Sequence, residues 1–259
     1  MCGSRDDSLM SISVSKRWTW DPSGELHKKI FYENFDEAVY RGSAGHAVRL
    51  YQSKIIKRVP AIAGGVYLEL GSHSLELTEA VLKRTTGDAS VLAAVDLQYP
   101  KPAARARASA LLRRNPERLL TMVQADVADL PFANQSIDVV FHGCLLHHLD
   151  RPLESLNEIR RVTRTGGTVI YYLPCDPGLL LRLTQSLLSH RIAGRVMKRR
   201  RLSVRYLWAI EHRNHYASLR QLIRHVHMHD SFDSFRYPFR WRFWNLNLFE
   251  IVVVTRQRD

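Results

Sequence analysis

Three carboxylates stand at or just beyond the ends of short apolar runs. Glu69 lies within Val66-Tyr67-Leu68-Glu69-Leu70, Asp96 follows the run 91–95, and Asp126 comes shortly after the run 119–124. Runs of that length, separated by helical patterns, read as strands of a parallel sheet. Acids at successive carboxyl ends then converge on the crevice where such sheets hold their ligands. A single acid in such a place as readily caps a helix or shapes a turn. Three in order argue for a site. Glu69 leads directly into Gly71-Ser72-His73-Ser74 and then a helical stretch, 75–84. Glycine lets the backbone approach a ligand, and a helix start offers free amides. Asp96 is placed to accept hydrogen bonds from a ribose diol.

Histidines supply the second kind of chemistry. His147 and His148 follow the fourth strand, and His212 and His215 stand in Glu211-His212-Arg213-Asn214-His215-Tyr216. An imidazole titrating near neutrality suits removal of a hydroxyl proton. Each of these histidines also has a plain packing reading. His225, His227 and His229 alternate as metal ligands on a strand would, but they close a helical stretch, with no acid or cysteine partner evident. We read them as a solvated helix terminus and expect no metal.

The elements that must position these groups alternate in type. Residues 1–17 read as a flexible tail and 18–259 as one domain. Helical pattern from 25 to 59, broken at 42–45, precedes the first strand. Then come helix 75–84, strand 91–95, helix 103–114, strand 119–124, strand 137–141, helix 152–162 stopped by Thr165-Gly166-Gly167, and strand 168–173. Right-handed crossovers make this an α/β, doubly wound, mostly parallel sheet with N-terminal helices. Beyond Pro177 the pattern loosens into an amphipathic stretch, 179–189, and a helix, 202–210. We assign about 178–215 to a basic helical cap insertion, with sheet returning only at 249–255.

Charge follows that division. Residues 1–150 hold 18 Lys and Arg against 17 Asp and Glu, whereas 151–259 hold 20 against 8. A basic appendage on a near-neutral half suits an anionic substrate or surface. Arg236, Arg240 and Arg242 alternate with Tyr237, Phe239, Trp241, Phe243 and Trp244, a pattern that stacks on bases or sugars or covers a core edge. Three scattered cysteines suggest neither a disulfide framework nor a zinc knuckle and favour a reducing cytoplasm. No run is long and apolar enough for a membrane span, and the N-terminus lacks the core of a signal peptide.

The ordered set Leu68-Glu69-Leu70-Gly71-Ser72, Val95-Asp96-Leu97, Ala125-Asp126-Val127-Ala128-Asp129-Leu130-Pro131-Phe132, Ile137-Asp138-Val139-Val140, Leu146-His147-His148-Leu149-Asp150 and Arg160-to-Gly167 resembles the class I S-adenosylmethionine-dependent methyltransferases, in their small-molecule and lipid-quinone branch. The resemblance spans about residues 60–175. It implies that Glu69, Gly71, Ser72 and His73 lie beside the methionine part of the cofactor. It implies that Asp96 holds the ribose hydroxyls with Leu97 against the adenine, and that Asp126 accepts from the adenine amino group beside Val127. His142 and Gly143 would line the methyl end. The family loop runs Gly-x-Gly-x-Gly, whereas this chain has Gly71, His73 and Leu75. A β-carbon at 73 is expected to oppose positive φ and to weaken or reshape the loop.

The function expected from the resemblance is O-methylation of a small or lipid-linked acceptor, anionic and bearing phosphate or saccharide, with His147, His148 or His215 as base. The location expected is cytoplasmic, with residues 178–205 meeting the anionic inner membrane face. The rivals are a nucleic-acid methyltransferase and a non-catalytic binding subunit of the same fold.

Overall fold

In a computed structural model, residues 21, 23–33, 43–85, 91–97, 102–189, 197–198, 201–240 and 242–258 are described. The tail expected over 1–17 lies outside them, as do Arg191, Arg195, Arg199, Arg200 and Trp241. Two helices, α1 (Glu25–Glu33) and α2 (Ser43–Ile56), precede β1 (Val66–Leu70). Next come α3 (Glu76–Arg84), β2 (Val91–Asp96), α4 (Pro102–Arg114), β3 (Leu119–Gln124), β4 (Ile137–His142), α5 (Pro152–Val162) and β5 (Thr163–Pro174). After β5 lie α6 (Leu179–Thr184), α7 (Val204–Glu211), α8 (Tyr216–Val226), β6 (Ser231–Tyr237) and β7 (Phe249–Thr255).

The seven strands run in the order β3-β2-β1-β4-β5-β7-β6. The first five are parallel, and β7 and β6 are antiparallel to their neighbours. Side chains alternate faces along each strand, so each face builds its own core. Leu68 and Leu70 of β1 pack with Leu156 and Ile159 of α5 and Leu219 and Ile223 of α8. Tyr67 packs with Ile55 of α2, Val81 and Leu82 of α3 and Leu111 of α4. The strand order reverses between β1 and β4, which sets the ligand crevice above those two strands.

Several element expectations are corrected. The break expected at 42–45 is narrowed, because α2 begins within it at Ser43 and runs through Gly45. Thr165-Gly166-Gly167 does not stop α5. The helix passes into β5 at Thr163, and both glycines lie in the strand, where the Arg256 amide donates to the Gly167 carbonyl and the Gly166 amide to the Arg256 carbonyl. Sheet does not return only at 249–255, since β6 pairs with β7 along seven residues.

That added hairpin carries a buried charge network. Glu250 is wholly buried on β7 and takes Arg220 at 3.2 Å and Arg236 at 3.3 Å, with Tyr216 and Ser234 donating to the same carboxylate. Removing one member leaves buried cations unmatched. Glu250→Ala is expected to cost about 3–5 kcal/mol in urea-induced unfolding.

His227 corrects another expectation. It is fully buried rather than solvated, with Nε2 2.7 Å from the Tyr171 hydroxyl and Nδ1 2.7 Å from Asp230 Oδ2. His225 and His229 are exposed, so the three do not share a face.

Candidate functional site

A cavity of about 490 Å³ opens over the carboxyl ends of the parallel strands. Glu69, Gly71, Ser72, His73, Asp96, Leu97, Asp126, Val127, Gly143, His147 and His148 all contribute to its wall. The crevice brings together eleven of the twelve predicted cofactor and histidine positions outside 215. His142 lines none of it. Its ring is wholly buried beneath the floor, and its Nδ1 donates to the Gly143 carbonyl at 2.7 Å. Burial lowers its pKa to about 4, which makes it a neutral core group. His215 also falls outside the wall. It is an exposed residue at the N-cap of α8.

The cofactor loop keeps its shape in spite of its side chains. Gly71, His73 and Leu75 have φ of 68°, 38° and 63°, so both non-glycine residues adopt the left-handed backbone that glycines would supply. The β-carbon at 73, expected to oppose positive φ, does not keep this residue out of the left-handed region. Two contacts hold the turn. The His73 amide donates to Asp96 Oδ2 at 3.0 Å, and Leu75, 1% exposed, is sunk in the core beneath α3. Leu75→Gly removes that anchor and is expected to cost about 2–4 kcal/mol despite relieving the backbone. His73→Gly is expected to stay within about 1 kcal/mol of the parent chain, because strain relief and added unfolded-state freedom offset each other. Paired urea titrations check both.

The acids differ sharply in environment. Glu69 is 3% exposed and accepts from the Thr78 hydroxyl; burial pushes its carboxyl up to about 8. Asp126 lies at the rim, where the Ala128 amide and Arg151 hold it below its ordinary value, with Arg151 at 2.7 Å. Leu97 is 68% exposed just after β2, an apolar surface facing the cavity. A buried acid that would ionise against a cationic amine, a rim carboxylate and an open apolar face fit an amino-acid nucleoside.

The opposite end of the cavity is aromatic and carries the histidines. Tyr51 of α2, Tyr172 of β5 and Phe249 of β7 pack together, with 4.4 Å between the two tyrosine rings. Leu181 of α6, Trp208 and Glu211 of α7 and His212 at its C-cap close the wall. His212 Nδ1 lies 2.9 Å from Asp176 Oδ2. A carboxylate can only accept, so Nδ1 donates and Nε2 is left as the basic atom. Burial is the largest single influence on Asp176 and works against its charge, but the His212 bond together with the charges of His212, Arg182 and His215 holds this carboxyl below its ordinary value.

His148 donates from Nδ1 to the Glu211 carbonyl at 2.9 Å, and burial lowers its pKa to about 4. His147 is 1% exposed and is held neutral by burial and by its neighbours His148 and His212. The link between 211 and 216 is fastened to this turn, since Arg213 and Asn214 amides donate to the His147 carbonyl. Each of the three rings offers a nitrogen within 4.8 Å of the others. No metal was expected from the sequence. This is the group among the described residues that could hold one. A tetrahedral ion needs nitrogens roughly 3.3 Å apart, so the rings would have to close on it.

Comparison with known proteins agrees with this geometry. Residues 68–171 match the model of a methyltransferase domain. The chain is 28% identical over 155 residues to the ubiquinone/menaquinone biosynthesis C-methyltransferase of Bdellovibrio bacteriovorus, covering 58% of this chain and 62% of that one. It is 38% identical over 66 residues to an uncharacterized chloroplastic methyltransferase of Arabidopsis thaliana, covering 24% and 19%. Among solved structures, the 1,6-didemethyltoxoflavin-N1-methyltransferase of Burkholderia thailandensis, with 1,6-didemethyltoxoflavin and S-adenosylhomocysteine bound, gives a TM-score of 0.56 at 17% identity over 93% of each chain. The cyclase SpnF gives 0.58 at 12% identity over 90% and 95%.

Residues 68–171 carry a methyltransferase domain, and the fold is that of the class I S-adenosylmethionine-dependent methyltransferases. The chain spans less than two thirds of the length of each curated relative named here. The presence of a cyclase on the same fold means that the acceptor end, not the fold, has to decide the reaction.

Proposed function

We propose that this chain methylates a hydroxyl group on an aromatic ring, using S-adenosylmethionine and a histidine base. The observation that carries the reading is the Asp176–His212 pair beside an aromatic-walled chamber. When bound, the cofactor supplies a methyl group on a sulfonium and departs as a thioether. The chain's own residues do the rest. Glu69 and the turn at 71–73 bind the amino-acid end, Asp96 the ribose, and Leu97 with Asp126 the adenine. Tyr51, Tyr172 and Trp208 hold the acceptor ring and exclude water. Nε2 of His212 takes the hydroxyl proton, and Asp176 steadies the resulting imidazolium.

Among the described residues no lysine or arginine lines the cavity, which favours an aromatic ring inside it over the phosphate or saccharide suggested by the basic cap. A second reading, C-methylation of a quinol-type ring, draws on the likeness to the quinone C-methyltransferase. A phenolate shares its charge with its ring carbons, so the same base serves either outcome.

Calorimetry with S-adenosylmethionine comes first, and absence of binding at millimolar cofactor would refute the reading. Incubation with a panel of phenols and quinols and a carbon-13-methyl donor then distinguishes the products by NMR. A methoxy signal supports O-methylation, a ring-methyl signal the second reading, and turnover of RNA alone would overturn both.

A further inference from the structure

The cap that closes the acceptor end has an outer face as well as an inner one. Leu181, Thr184 and Gln185 of α6 and the π-helical turn after it (Gln185–Ser189) line the cavity. Leu179, Leu183 and Leu187 lie four residues apart on the same segment and are 56%, 51% and 57% exposed. Four-residue spacing keeps side chains on one stripe, so these leucines form a ridge facing away from the cavity wall.

A second apolar element lies alongside. The 3-10 turn Trp244–Leu246 packs against α6, and Gly178 at the helix start is so close to Asn245 that a β-carbon would stand 3.1 Å from its Cα. Phe243, just before that turn, is 71% exposed, and Phe239 is 50% exposed.

The sequence on either side of the ridge is basic, although Arg182 lies 4.0 Å from Asp176 and Arg236 is matched by Glu250. Residues 178–210 contain eight Lys and Arg and no Asp or Glu, and residues 234–249 contain three Arg and no acid. Arg182, Lys198, Arg201, Arg205, Arg240 and Arg242 are all exposed. Exposed leucines and phenylalanines on a segment of chain rich in exposed cations match a bilayer with anionic headgroups: the apolar groups enter the acyl boundary and the cations meet phosphate. No helix among the described residues is long and apolar enough to cross a membrane, so the contact is with one leaflet.

We propose that the ridge formed by Leu179, Leu183 and Leu187, with Phe243 beside it, docks the protein on an anionic membrane and sets the cavity mouth at the lipid surface. The acceptor class narrows accordingly to an aromatic ring on an aliphatic tail, presented from the bilayer. This narrowing rests on the methyl-transfer reading above, whereas the docking does not.

The test is vesicle flotation of the full chain without cofactor or acceptor, so that its result stands apart from any failure of catalysis. Phosphatidylcholine vesicles are compared with vesicles containing about one third phosphatidylglycerol. The protein is expected to float with the anionic vesicles and not with the neutral ones. The double variant L183S/L187S is expected to weaken that binding by about tenfold or more. K198E/R201E is expected to weaken it similarly. Thermal melts and cofactor calorimetry unchanged from the parent chain would show that both variants fold.

Failure to bind anionic vesicles would overturn the proposal, as would binding indifferent to the leucines. So would a dimer in solution that L183S/L187S dissociates, which would assign the ridge to a second copy. Preferential retention by single-stranded RNA over the vesicles would overturn it as well.

Discussion

Replacing His212 by asparagine is expected to lower kcat by about 10²–10⁴-fold while leaving cofactor affinity within about twofold. The separation follows from placement. His212 caps the C-terminus of α7 at the aromatic end of the cavity, and the groups assigned to the cofactor stand on β1, β2 and the loops after β1, β2 and β3. Asp176→Asn is expected to follow in the same direction, because an amide can donate to Nδ1 and reverse the tautomer that exposes Nε2. His148→Asn should cost less. With a pKa of about 4, set by burial, that ring is a weak base at neutral pH, and its Nδ1 is already committed to the Glu211 carbonyl. Steady-state kinetics with separate KM and kcat would check the ranking. If His148→Asn proved the more damaging change, the base would have to be reassigned.

The ranking reversed an expectation for a physical reason that a linear sequence does not contain. His212 and His215 are three residues apart in the same stretch, and nothing in residue type separates them. Their roles part because α7 ends at Glu211 and α8 begins at Tyr216, so one ring closes a helix over the cavity and the other caps a helix in solvent. Asp176, the partner that orients His212, lies 36 residues away in sequence. His227 shows the same limit, because its hydroxyl partner Tyr171 is 56 residues away.

What was legible followed from local periodicity. The parallel strands, their order and the acids at their ends came from short apolar runs between helical patterns. β6 did not, because Phe232, Phe235 and Tyr237 do not alternate regularly along an exposed edge. The loop at 73–75 was misjudged by a rule that is sound locally. Left-handed backbone favours glycine, but burial of Leu75 and the bond from the His73 amide to Asp96 outweigh a cost of about 1–3 kcal/mol per residue.

Glu69 makes the other large prediction, and its two consequences run in opposite directions. Burial pushes its carboxyl up to about 8, so between the ordinary carboxylate range and pH 8 the folded chain retains a proton that the unfolded chain has released. Its contribution to stability is therefore fully present in acid and is lost as pH rises through about 8. Glu69→Gln preserves an acceptor for the Thr78 hydroxyl but carries no charge. In the absence of cofactor the variant is expected to be more stable than the parent at pH 9, by about 1–3 kcal/mol, and to lose this part of the pH dependence.

Cofactor binding should show the reverse. A cationic amine beside Glu69 favours the ionised acid, so binding to the parent expels a proton below pH 8 and tightens as pH rises, by up to about tenfold per unit. Glu69→Gln is expected to flatten that slope and to weaken binding by about 10–100-fold at pH 8. Calorimetry in two buffers of different ionisation enthalpy would detect the expelled proton directly. A variant that gained stability yet kept the parent's affinity and slope would confine Glu69 to the core and move the amine's partner elsewhere in the crevice.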